Sequence, residues 1–150
     1  MTAFLKELAR QVRGSTVELL DAAQPSWLTW APPGTSNHIL WHAGHAVWLQ
    51  DVLCLQPLTG TSRLPDGWAE TFGQNCRPPA QTRHWPPVAE VRQRLTDQLH
   101  DIYAALEAAQ LTAADATGMG GRIIHGLHDE SRHQGEMYLL LKMCRSGDQR

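Results

Sequence analysis

The stretch HILWHAGHAVWLQDVLCL, residues 38–55, decides the fold of this chain. Its apolar residues recur at every third or fourth position, which is the period of an amphipathic α-helix. At about 100° per residue, His38, His42 and His45 lie within roughly 60° of one another, on the face that also carries leucine and valine. Because a helix buries its apolar face, these histidines are predicted to point into the protein.

Three further segments have helical periodicity, and a long proline-rich connection separates the second helix from the third. Gly14 is expected to loosen the first helix, and Ser36 or Asn37 can cap the second. No segment alternates polar and apolar residues in the manner of a strand. The sequence therefore predicts an all-α four-helix bundle, a single domain over 1–150, with a long crossover between helices 2 and 3. The predicted helices cover about 3–23, 38–55, 88–109 and 122–145.

The composition argues against several classes of protein. Thirteen Lys and Arg residues face 15 Asp and Glu, so no basic surface for a nucleic acid or a membrane is expected. Cys54, Cys76 and Cys144 are unevenly spaced and are predicted to be reduced thiols, the first and last of them in the core. The charged N-terminus does not have the pattern of a signal peptide. We expect a cytoplasmic protein with a small-molecule substrate, and any homodimer to form through the crossover and the first helix.

A second histidine-rich motif, HDESRHQGE at 128–136, lies at the start of the apolar run of the last helix. His125, Asp129, His133 and Glu136 share one stripe of that helix, and the pair Asp129 and His133 is spaced i, i+4, so that both side chains can reach one point. Such a pair on a buried face is a recurring ligand geometry in helical bundles. The spacing favours a metal site.

Burying imidazoles and carboxylates among leucines is costly unless they bind one another or a metal. Zinc, nickel and ferrous iron all accept imidazole nitrogen and carboxylate oxygen. His38 and His125 are individually more typical of hydrogen-bonded core histidines. His128 points away from the stripe, to the surface or to a supporting position, and Arg132 is expected at the rim of the site, paired with a carboxylate.

The motifs NHILWHAGHAVWLQDVL (37–53) and HGLHDESRHQGE (125–136) together resemble the DinB-like family of metal-binding four-helix bundles. This superfamily includes bacillithiol-dependent transferases and mycothiol-dependent maleylpyruvate isomerases. The resemblance extends over nearly the whole chain and implies three metal ligands, which fall on His45, Asp129 and His133. His42 is the alternative ligand from helix 2. Asp129 departs from the usual His or Glu at its position and is shorter than Glu, which leaves the identity of the metal open.

The resemblance further implies a divalent metal, zinc first and nickel or iron as alternatives, that binds a low-molecular-weight thiol. His42 would orient a ligand or transfer a proton, and Arg132 would assist at the rim. The tryptophans Trp41 and Trp48 would hold the substrate against the crossover. The expected activity is thiol transfer to an electrophile, as in detoxification or a stress response.

Two other functions are consistent with the same residues. A metal held only for stability or sensing would give a stress-associated bundle without turnover. A hydrogen-bonded network of histidines and Asp129 without any metal would make the chain a structural or interaction module. The sequence alone leaves these alternatives open.

Overall fold

The computed structural model describes residues 1–35, 37–73 and 84–147, and all regular structure in these ranges is helical. No helix in this part of the chain combines the length and the apolar composition that crossing a membrane requires. The α-helices are α1 (Thr2–Asp21), α2 (Ile39–Gln50), α3 (Gln56–Thr59), α4 (Trp68–Phe72), α5 (Val88–Ala109) and α6 (Met119–Gly147). Short 3₁₀ turns at Pro25–Trp27 and Ala113–Thr117 and a π-helical turn at Asp51–Leu55 connect them.

The four long helices form the predicted all-α bundle. α1 and α2 each pack against both α5 and α6. The predicted crossover between the second and third long helices contains the short helices α3 and α4. Pro57 lies in the first turn of α3, where the missing N–H of proline is tolerated. Cys54 and Cys144 are buried, as predicted, and Cys76 lies outside the described residues.

Several local predictions differ from the structure. α1 continues through Gly14 without interruption, because packing against α5 and α6 outweighs the low helical propensity of glycine. α2 begins one residue later than a cap at Asn37 would place it: the cap is His38, whose Nδ1 accepts a hydrogen bond from the Trp41 N–H at 3.1 Å. Ser36, the other predicted cap, lies outside the described residues.

α2 is buried around almost its whole circumference, which explains why most of its residues are apolar. Only Trp48 among its residues is partly exposed. Gly44 brings α4 into contact with it, since a Cβ at this position would lie 2.3 Å from the ring of Phe72. The indole N–H of Trp68 donates to the carbonyl of Gly44 at 3.0 Å. These contacts hold the crossover against the histidine-bearing helix.

The interior has two apolar clusters, separated by buried polar side chains at one level of the bundle. Leu20, Val91 and Met137 belong to the upper cluster, and Leu5 and Ile102 to the lower one. In sequence, the polar residues come between the two clusters on each of the four long helices. We call this set the polar layer; it consists of Arg13, Thr16, Gln50, Gln98 and Glu130.

Candidate metal centre

α2 places the imidazole of His42 in the upper half of the bundle, where its side chain is 1% exposed. Burial lowers the pKa of His42 to about 3, and the neighbouring His133 and His45 add to this effect. Burial also lowers the pKa of His133 to about 4, with His45 lowering it further and Asp129 opposing the shift. Both imidazoles are therefore neutral at physiological pH, which is the form that binds metals.

α6 supplies two side chains, His133 and Glu136, that form a cluster with His42. The ligand atoms of these three residues all lie within 4.8 Å of one another. The Nδ1 atoms of His42 and His133 are 3.0 Å apart. Two imidazole nitrogens that each lie about 2.0–2.1 Å from one ion are separated by about 2.8–3.4 Å when the angle between them at the ion is about 90–110°. The two histidines are thus already spaced as donors to one cation.

Glu136 lies at the mouth of the cluster, where its side chain is 58% exposed and its Oε2 is 3.2 Å from Nε2 of His42. That Nε2 is buried and makes no well-aligned hydrogen bond with the described residues. The two nitrogens of His42 therefore face different groups. If Nδ1 binds a metal, Glu136 orients the ring through Nε2, as carboxylates do for many ligating histidines; if Nε2 binds, Glu136 is itself a ligand.

The residues fit a divalent cation by two observations. The donor set combines two neutral imidazoles with a carboxylate, which suits zinc, nickel or ferrous iron, and the buried Nε2 of His42 makes no well-aligned hydrogen bond within the described part of the chain. A buried polar atom without such a bond is costly. A metal bound to this Nε2 would offset that cost. His42, His133 and Glu136 therefore form a site that could hold a metal ion.

His45, the predicted helix-2 ligand, lies beside this cluster. Its ring centroid is 4.6 Å from that of His133, and its Nδ1 donates to the carbonyl of Phe72 at 2.6 Å. This hydrogen bond leaves Nε2 as the nitrogen with a lone pair, the arrangement that metal-binding histidines commonly show. The ligand role of His45 stays a prediction.

Asp129, the predicted carboxylate ligand, is turned towards the rim. Its side chain is 24% exposed and accepts a hydrogen bond from Arg132 at 3.0 Å. Arg132 thus lies at the surface and pairs with a carboxylate, as expected for that residue. Asp129 is near enough for its charge to oppose the lowering of the His45 and His133 pKa values by burial. It remains a predicted ligand outside the three-residue cluster.

The two tryptophans predicted to hold the substrate lie beside His45. Trp41 is fully buried and stacks on His45 with ring centroids 4.6 Å apart, and Trp48 stacks on the same ring at 5.2 Å. Trp41 also contacts both histidines of the cluster, with ring centroids 5.2 Å from His42 and 6.0 Å from His133, whereas Trp48 lies against His45 beside the cluster. The expectation of a core histidine is wrong for His125, which is exposed on α6, as is His128.

The sequence places Glu136 on the same stripe of the last helix as Asp129 and His133 but does not identify it as a ligand. Its spacing from His133, i and i+3, is the sequence signal that could have identified it. The i, i+4 partner Asp129 has the same residue chemistry, so spacing alone does not choose between the two carboxylates. The choice depends on how α6 is rotated against α2.

The family model of the DinB superfamily matches residues 8–137. The match includes α2, the part of α6 up to Met137 and all members of the cluster. No curated protein and no solved structure matches the chain.

Proposed function

Because this chain belongs to the DinB superfamily, we propose that it is a metal-dependent enzyme that activates a low-molecular-weight thiol for transfer to an electrophilic small molecule. The observation that carries the proposal is the convergence of His42, His133 and Glu136 within 4.8 Å. Zinc is the metal that we expect first, with nickel and ferrous iron as alternatives. Three protein ligands would leave a coordination position for the thiol.

The chain's own residues would divide the work. His42 and His133 are buried and neutral, and they would hold the metal together with Glu136. When bound, a divalent metal lowers the pKa of a coordinated thiol from about 8.5, so that the nucleophilic thiolate is present at neutral pH. Trp41 and Trp48 would exclude water and give the electrophile an apolar wall.

Metal analysis of the purified protein tests the site. Glu136→Ala and Asp129→Ala are a matched pair, because each removes one carboxylate from the same stripe of α6. If the cluster is the site, Glu136→Ala reduces the metal content or affinity and Asp129→Ala retains it. The opposite result would support the ligand set predicted from the sequence.

A second matched pair uses histidines of α6. His133→Ala is expected to abolish stoichiometric metal, whereas His125→Ala removes an exposed imidazole outside the cluster and leaves the metal in place. Equal metal content in the two variants would refute the site.

Thiol consumption tests the reaction. The metal-loaded protein is incubated with bacillithiol, mycothiol or another small thiol and with an epoxide or a halogenated acceptor, and the loss of free thiol is followed. Turnover that His133→Ala abolishes is the expected result. A metal-loaded protein that leaves every thiol and acceptor unchanged would contradict thiol transfer. Metal binding without turnover would instead indicate a non-catalytic metal-binding bundle.

A further inference from the structure

The polar layer lies directly below the candidate metal centre, and two of its members, Gln50 and Glu130, are on the helices that carry the metal-centre residues. Glu130 is three residues before His133 on α6, a rise of about 4.5 Å along the helix axis. Its carboxylate is 0% exposed, and its oxygens accept hydrogen bonds from Thr16 at 2.7 Å and from Gln50 at 3.0 Å. The charge is balanced by Arg13, whose Nε is 3.0 Å from Oε1.

The layer connects all four long helices. Arg13 of α1 donates to the carbonyl of Leu95 and to Oε1 of Gln98 on α5, at 3.2 and 3.0 Å. The side chain of Gln98 donates in turn to the carbonyl of Val47 on α2 at 2.8 Å. These hydrogen bonds form together only when the four helices stand at one relative height.

One member of the layer links the two ligand-bearing helices directly. Gln50 of α2 donates to Glu130 of α6, and Gly126 lets the helices come close just below, where a Cβ would lie 3.1 Å from Leu53 and 3.4 Å from Oε1 of Gln50. Apolar clusters above and below could accommodate small shifts of one helix along another, whereas directional hydrogen bonds cannot.

We infer that the polar layer, through Arg13, Gln50 and Glu130, sets the height and rotation of α2 against α6 and thereby brings His42 and His133 to the spacing that a metal requires. This inference rests on the proposed function for its metal. The three residues are positioning residues, because they act through the helices that carry the ligands. Metal sites tolerate errors of only about 0.5 Å in ligand placement.

The test separates positioning from stability. An apolar-layer variant, in which Arg13→Met is combined with Gln50→Leu, Gln98→Leu and Glu130→Leu, removes both charged side chains of the layer together. Replacement of a buried ion-pair network by apolar residues of similar size is often neutral or stabilising. We therefore expect the variant to melt at or above the temperature of the unaltered protein.

The same variant is expected to bind Zn²⁺ about 10- to 100-fold more weakly, the range usual for groups that orient metal ligands. A merely structural layer predicts the opposite, namely that affinity is kept wherever stability is kept. An apolar-layer variant that folds and binds Zn²⁺ with unaltered Kd would overturn the inference. Ile102→Val, which loosens the lower cluster without touching the layer, is the control and should leave the Kd unchanged.

Two further measurements cover the cases in which the fourfold variant does not fold or the unaltered protein binds no metal. If the fourfold variant does not fold, Gln50→Met replaces it, and its melting temperature and Kd for Zn²⁺ are compared with those of the unaltered protein. This substitution breaks only the hydrogen bond between Gln50 of α2 and Glu130 of α6. If the unaltered protein binds none of Zn²⁺, Ni²⁺ and Fe²⁺, the proposed function fails, and ¹⁵N NMR of the metal-free histidines decides the inference. The hydrogen bond between the Nδ1 atoms of His42 and His133 should then be lost in the variant; its retention would contradict the inference.

Discussion

Replacing Gly44 with Ala should destabilise the protein, although alanine is the better helix former. The new Cβ would lie 2.3, 2.4 and 2.6 Å from three ring carbons of Phe72. The optimum for two carbon atoms is about 3.5–4.0 Å, so the ring must retreat by more than about 1 Å. Phe72 is 1% exposed and contacts Trp68 and Trp85, with ring centroids 4.8 and 5.8 Å away.

The magnitude follows from two opposing terms. Overpacking of a core costs about 1–3 kcal/mol, and a clash with a confined ring belongs at the upper end. Alanine returns about 1 kcal/mol through helix propensity. The net loss is therefore about 2 kcal/mol of unfolding free energy, or about 4–8 °C in Tm for a chain of this size.

The assay is thermal and urea unfolding followed by circular dichroism. Gly14→Ala is the matched control, because a Cβ at Gly14 meets nothing within 4 Å, and it should raise the stability by up to about 1 kcal/mol. Phe72→Leu combined with Gly44→Ala should recover part of the loss. A Gly44→Ala protein as stable as the unaltered one, or a shift of the same sign in both glycine variants, would refute the packing argument.

Three other predictions concern buried groups. Glu130→Leu alone should lower the free energy of unfolding in urea by about 3–5 kcal/mol, because it leaves a buried arginine without its carboxylate. Asp21→Asn is the control, at an ion pair whose two side chains are 45–49% exposed, and it should cost at most about 1 kcal/mol. Similar losses in the two variants would contradict the difference in burial. Burial lowers the pKa of His38 to about 4 from 6.5, so the folded state favours the neutral ring. Its contribution to the free energy of unfolding is complete above pH 6.5 and is lost as the pH falls towards 4, on the order of 3 kcal/mol in all. His38→Asn can still cap α2 but does not titrate, so this part of the pH dependence should be missing when unfolding of the variant is measured against pH. Burial raises the pKa of Cys54 to about 12. After iodoacetamide treatment at pH 8, peptide mass spectrometry should find this thiol unmodified in the native protein and modified in the denatured protein. Labelling of Cys54 in the native protein would refute its burial.

Local sequence patterns sufficed for the helices of the bundle. The range 88–109 predicted for the third long helix coincides with α5, since a regular apolar stripe without proline has few alternatives to a buried helix. The same periodicity placed His42 and His133 on inward-facing stripes, and both are buried in the structure. The resemblance to the DinB-like family, noted from the two histidine motifs, is confirmed by the match over residues 8–137.

Contacts between distant segments were beyond any local pattern. Glu130 accepts its hydrogen bond from Arg13 across 117 positions of sequence, and a lone arginine in a charged first helix looks like a surface residue. The cap of α2 by His38 depends on its burial beneath Trp85, whose ring centroid is 4.5 Å away. These partners are brought together only when the bundle closes.

The sequence by itself determined that one face of α2 and one stripe of α6 carry the groups of the site, because side-chain direction along a helix follows from spacing. Only the tertiary structure decided which of those groups meet. His42 and His45 differ by about 60° around α2, and Asp129 and Glu136 lie on the same stripe of α6. A small rotation or shift of one helix against the other exchanges these neighbours, and that rotation is set by packing at Gly126 and by the buried charges of the polar layer.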